Sequence, residues 1–121
     1  AALPDAYYER LKSEAGEVLK IQIIDKHIRE IDPCQVEITY GAKILAVYRT
    51  RSDLKAGRHI IVNSYDIKDT PTCIGGGPKI PKELPIGWTG RAYLKPARQP
   101  KQGFDLAAFG ESFENIGPVA P

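Results

Sequence analysis

The sequence predicts a mainly β protein: a five-stranded antiparallel barrel with a short N-terminal helix and one long loop rich in proline and glycine. Three observations lead there. Several segments alternate apolar and polar residues with a period of two, which buries one face of a strand and solvates the other. Two irregularities, an apolar doublet at Ile23-Ile24 and Gly41 inside an alternating run, bend the strands that carry them. Between residues 68 and 87, prolines and glycines are too dense for regular structure. At 121 residues the chain has material for one modest core.

Read as one domain over 1–121, the chain divides into a helical segment (1–16), long strands (17–67), the loop (68–87), closing strands (88–110) and a tail (111–121). Pro4 suits a first helical turn, Gly16 a stop, and Tyr7, Tyr8 and Leu11 fall at spacings that put one side on a core. From Glu17, Leu19, Ile21 and Ile23 point one way. After the doublet Ile24, Lys26 and Ile28 share a side, the signature of a bulge. Beyond the Asp32-Pro33 turn, Val36, Ile38 and Tyr40 alternate with Gln35, Glu37 and Thr39, and the pattern resumes past Gly41 through Tyr48. We read this as one strand kinked at the glycine. Gly57 supplies the positive φ for the turn before a strand from His59 to Ile67. Trp88–Leu94 and Phe104–Phe109 then form the closing strands, and Gly117–Pro121 is a frayed end. Closure into a barrel removes the raw edges an open sheet would leave.

Charge is nearly balanced, 17 basic against 15 acidic side chains for a net +2, which by itself advertises no polyanion partner. The bases are unevenly placed: Arg91, Lys95, Arg98 and Lys101 fall in a stretch from Trp88 to Gln102 that has no acid. No stretch approaches the roughly 20 apolar residues of a membrane span. The two cysteines, Cys34 and Cys73, lack Cys-x-x-Cys spacing and neighbouring histidines, so neither zinc nor a thioredoxin-type site is expected. Both sit in turn-like sequence, where a disulfide closing about 38 residues would stabilise the fold by roughly 4 kcal/mol; the alternative is a pair of buried free thiols. Ala1-Ala2-Leu3-Pro4 looks like the remainder after signal peptidase cleavage, which implies a secreted or periplasmic protein whose signal peptide ended before Ala1.

The middle of the chain resembles the netrin-like, or tissue-inhibitor-of-metalloproteinases-like, branch of the OB fold. The resemblance is carried by Val36–Tyr48, the turn Leu54-Lys55-Ala56-Gly57, the strand Ile60-Ile61-Val62 and the segment Gly90-Arg91-Ala92-Tyr93-Leu94, about half of the chain. It implies an OB-like barrel in an exported, disulfide-permissive setting. It does not imply protease inhibition, since that family chelates zinc through an N-terminal cysteine and Ala1 stands here.

No catalytic signature is found. His27 and His59 lie on different strands without a serine or cysteine nucleophile in context, and Asp25, Glu30, Asp32 and Glu37 have no spacing that specifies acid–base work. Gly75-Gly76-Gly77-Pro78-Lys79 leads into prolines where a phosphate loop would lead into a helix. No cofactor or metal is called for. Two binding readings follow. In the first, an exported, non-enzymatic module meets a protein or other macromolecule through the long loop and its apolar residues Ile74, Ile80, Leu84, Ile86 and Trp88. In the alternative, a single-stranded nucleic acid stacks on a basic, aromatic face made of Tyr48, Arg49, Arg51, Trp88, Arg91, Tyr93 and Lys95. A small-molecule pocket within the barrel is the third option.

Overall fold

The computed structural model describes residues 3–68, 70–73 and 77–116. In chain order these form α1 (Asp5–Glu14), β1 (Glu17–Glu30), β2 (Gln35–Thr50), β3 (His59–Ile67), β4 (Thr89–Pro96), β5 (Phe104–Leu106), a 3-10 turn (Phe109–Glu111) and β6 (Phe113–Glu114). The sheet runs β1-β2-β3-β5-β4, and β4 pairs back onto β1, so five strands close an OB-like barrel. Ile74, Gly75, Gly76 and the tail Gly117–Pro121 lie outside the described residues.

The bulge expected at Ile23-Ile24 is present, and the β1–β2 ladder carries two further register shifts, where Tyr48 and Leu45 are the extra residues on β2. Glu17–Gln22 of β1 is shared between β4 and β2, after which β1 continues with β2 alone to Glu30. The ladder with β2 shifts register between Ile23 and Asp25, so Ile24 is the extra residue of a bulge. Leu19, Ile21 and Ile23 are buried before the shift, whereas Ile24 and Ile28 are exposed after it. A slip of one residue exchanges the faces of a strand, and here the end of β1 becomes an edge strand on β2, which β3 backs on its other side.

β2 is a single strand, and Gly41 stands opposite Asp25 at the bulge. The Gly41 amide donates to Asp25 Oδ1 at 3.1 Å, and a Cβ on residue 41 would lie 2.7 Å from that oxygen. The missing side chain therefore makes room for the carboxylate that accepts this amide beside the bulge. Gly57 has φ +94°, as the turn before β3 requires.

The barrel interior is filled by Leu19, Ile21, Ile38, Tyr40, Ile44, Val62 and Leu94 among others. Each such aliphatic side chain stabilises the fold by about 1.5–3 kcal/mol when fully buried. α1 is anchored by Tyr8, which is completely buried and whose phenol accepts the Lys79 amide at 2.8 Å. The Tyr40 phenol accepts the Leu84 amide at the same distance and fastens the long loop over the barrel. A disulfide joins Cys34, in the β1–β2 turn, to Cys73 in that loop.

Three features differ from the expectation. β3 and β5 pair in parallel, through only Val62↔Phe104 and Asn63↔Asp105, while the other pairings are antiparallel. β5 stops at Leu106, because Ala107–Ser112 turns sharply through Phe109 (φ +50°), and the expected strand to Phe109 ends in a 3-10 turn. The segment expected as tail instead contributes β6, which pairs Arg91↔Glu114 and Ala92↔Phe113 on β4, with Ser112 fully buried beside it.

Candidate binding sites

Trp88 immediately precedes β4, and its indole lies over Gly90, where a Cβ would overlap the ring and the Glu114 carbonyl. The ring meets Phe113 edge-on, with centroids 5.8 Å apart, and its N–H donates to Asn115 Oδ1 at 3.0 Å. Between this ring and the Lys79–Leu84 stretch of the long loop is a cleft of about 460 Å³, lined also by Ile80 and Glu111. Ile80 is 37% exposed, and Ile86, two residues before Trp88, is 62% exposed. The loop thus holds apolar side chains at the surface instead of folding all of them inward. Among the described residues of the Lys79–Leu84 stretch, Leu84 and Pro81 fold inward.

Along β6 the cleft meets a polar cluster built on Glu114. Its carboxylate accepts from Lys12 Nζ (3.0 Å) and the Tyr93 phenol (2.9 Å), with Arg91 Nη1 at 3.5 Å. Burial opposes ionisation of Glu114, but the hydrogen bonds from Lys12 and Tyr93 and the charge of Arg91 outweigh it and hold the carboxyl below its ordinary range. Lys12 answers in kind: burial acts against its charge, and Glu114 and Glu9 overcome it and raise its pKa. The Tyr93 phenol is pushed up, first by burial and then by its bond to Glu114. Arg91 also covers the Tyr48 ring, its guanidinium carbon 4.9 Å from the centroid.

A second opening lies over the β3–β5 junction, with a volume of about 280 Å³. Ser64, Tyr65, Leu106 and Phe109 line it, and Glu37, Lys95, Lys101 and Asp105 ring it. Lys101 and Arg29 each lie 3.2 Å from a Glu37 oxygen, and the hydrogen bond from Lys101 is the main reason the Glu37 pKa is lowered. Burial pushes the Tyr65 phenol up.

Of the side chains singled out from sequence, Ile80 and Trp88 share the cleft, and Tyr48, Arg91 and Tyr93 share the cluster. The other three are elsewhere. Arg49 Nη1 lies 3.2, 3.1 and 2.9 Å from the carbonyls of Lys12, Ser13 and Ala15, so it closes the C-terminal end of α1. Arg51 packs over Gly16 and its amide donates to the buried Glu17. Lys95 belongs to the β3–β5 opening. The basic, aromatic face therefore does not form as one surface. Ser64, Tyr65 and Glu37 of that opening were not anticipated, since alternation marks them only as ordinary strand positions. Among the described residues, no group of three or more His, Cys, Asp or Glu side chains is placed to hold a metal ion, and no helix is long and apolar enough to cross a membrane. Neither family models nor curated proteins yield a match to this chain.

Proposed function

We propose that this protein is an exported, non-enzymatic binding module that engages a protein partner through the Trp88 cleft. The observation that carries this reading is the state of Trp88 itself: a large aromatic ring fixed by Phe113 and Asn115, half-buried, with Ile80 exposed in the same cleft and Ile86 exposed two residues before it in the chain. A rigid aromatic in a partly formed pocket is the form that interface anchors take, because little side-chain entropy remains to be lost on binding. Lys79, Lys82 and Glu111 at the rim would add orientation more than affinity. Export is supported by the disulfide, which suits an oxidising compartment. A netrin-like ancestry would account for such a barrel serving as a scaffold.

The test is a photo-crosslinking residue at Ile86, followed in the cell envelope and the culture medium. We expect an adduct of discrete mass that disappears when Trp88→Ala or Ile80→Glu is added. Absence of an adduct, or one indifferent to both changes, overturns the reading. The nucleic-acid alternative has less support, because Arg49 and Arg91 already serve internal partners. Salt-sensitive retention on single-stranded DNA would restore it.

A further inference from the structure

We propose that the far end of β1 is an edge on which a second copy of this chain adds its own β1 as an antiparallel strand, with the two-fold axis at Ile28. The barrel leaves this edge open. The Ile23 amide donates to the Trp88 carbonyl and the Gly87 amide to the Ile23 carbonyl, and the chain bearing Trp88 then leaves β1 at Gly87 (φ +94°). Beyond that point β1 runs to Glu30 with β2 as its only strand neighbour.

The alternation of the ladder fixes which backbone groups face outward. Ile44 of β2 donates to the Arg58 carbonyl and accepts from the Gly57 amide, so in this part of β2 the even-numbered residues bond toward β3 and the odd-numbered ones toward β1. Gly41, Thr39 and Glu37 stand opposite Asp25, His27 and Arg29, and the bond from the Ile31 amide to the Gln35 carbonyl continues that series. The amides and carbonyls of Lys26, Ile28 and Glu30 therefore point away from β2. Among the described residues they meet no hydrogen-bonding partner. A row of such groups in extended geometry is complementary to another extended backbone.

Self-complementarity specifies a second copy. Antiparallel pairing sets outward residues against outward residues, and only an axis at Ile28 uses Lys26, Ile28 and Glu30 together. That register places Lys26 opposite the partner's Glu30 at both ends and Ile28 opposite the partner's Ile28. Lys26 has a donor to spare, because Glu83 Oε2 (2.7 Å) and Leu84 O (3.1 Å) occupy two of its three. Glu30 binds Lys68 through Oε1. Ile28 is 54% exposed although its ladder neighbour Ile38 is buried in the core, so the added strand would extend the apolar inner face. An axis at His27 would match Asp25 with Arg29, but these already hold the Gly41 amide and Glu37, and Glu30 would face the bulge.

Sedimentation velocity of the intact, oxidised protein provides the test, between about 10 µM and about 1 mM, the range that reveals weak association. We expect a concentration-dependent shift from monomer to dimer. Ile28→Pro removes the outward amide on the axis and no bond to β2, and should leave a folded monomer throughout. Glu30→Lys, an exposed change that sets like charges opposite each other, should weaken dimerisation about tenfold. Trp88→Ala should leave it unaltered, which separates this edge from the cleft. In a mixture of labelled and unlabelled protein, an intermolecular NOE should join the α-protons of His27 and the partner's Arg29, which face each other closely in this register. The proposal is overturned if the protein sediments as a monomer at every concentration, if Glu30→Lys and a folded Ile28→Pro protein both dimerise as before, or if the intermolecular NOEs join other residues.

Discussion

Arg91 on β4 reaches across β1 to lie over the ring of Tyr48 on β2, and the same guanidinium faces Glu114 on β6. The contact joins strands that flank β1 on opposite sides, and it occupies the one aromatic face that β2 would offer to a base. Arg91→Ala is expected to cost about 1 kcal/mol, the scale of a partly exposed cation–π pair, measured by urea unfolding. A cost near zero would mean that the stack contributes nothing.

Glu17 is completely buried and accepts from Thr50 Oγ1 (2.6 Å), the amides of Arg51 and Ser52 (both 3.2 Å) and Ser52 Oγ (3.3 Å). It organises the whole turn that follows β2. Glu17→Ala strands these donors and should destabilise the protein by about 3 kcal/mol. Equilibrium unfolding of the variant checks this, and a loss below that of an ordinary surface substitution would refute it.

Acid should weaken the fold through Glu114 and Glu37, whose carboxyls are both held below their ordinary range in the folded protein. For carboxyls lowered on folding, the stabilisation is complete above the unfolded value and is lost as pH falls through the folded one. Unfolding free energy should therefore decline below about pH 4.5, and Glu114→Gln should flatten part of that decline. An unchanged slope in the variant would remove Glu114 from the account.

Gly90→Ala should be costly although the change is a single methyl, because its Cβ would overlap both the Trp88 ring and the Glu114 carbonyl. Overpacking of this kind costs about 2–3 kcal/mol. The expected signature is a loss of stability together with altered Trp88 fluorescence, since the ring must move. Stability and emission both unchanged would show that β6 yields easily.

Reduction, or Cys34→Ser with Cys73→Ser, should lower stability by about 4 kcal/mol, the chain-entropy value for a closed loop with a sequence separation of 39. Urea midpoints with and without reductant measure it.

Features with a local cause were legible in the sequence. The Ile23-Ile24 slip, the continuity of β2 through Gly41 and the extent of β3 follow from alternation and glycine placement alone. The cysteines could be matched because both sit in turns. β6 was not legible, since the two residues Phe113 and Glu114 carry no period, and their strand character comes from β4 alongside. The parallel β3–β5 contact is likewise set by closure of the barrel. The candidate sites suffered most from this nonlocality. Lys12 and Glu114 are 102 residues apart, and nothing near Arg91 in the chain announces the carboxylate that neutralises it. Ser64 reads as a core-facing position, and it is buried as one.

The Cys34–Cys73 bond also decides what a protease can release. A single cut anywhere between those two residues opens a ring and leaves one covalent molecule, so the pieces separate on a gel only after reduction. A cut further along the same loop, between Cys73 and Trp88, falls outside the ring and frees the C-terminal third with β4, β5 and β6. The two ends of one loop thus differ in kind: a nick in the first leaves one covalent molecule, while a nick in the second leaves two, and one between Leu84 and Trp88 parts the cleft's tryptophan from the stretch that walls it.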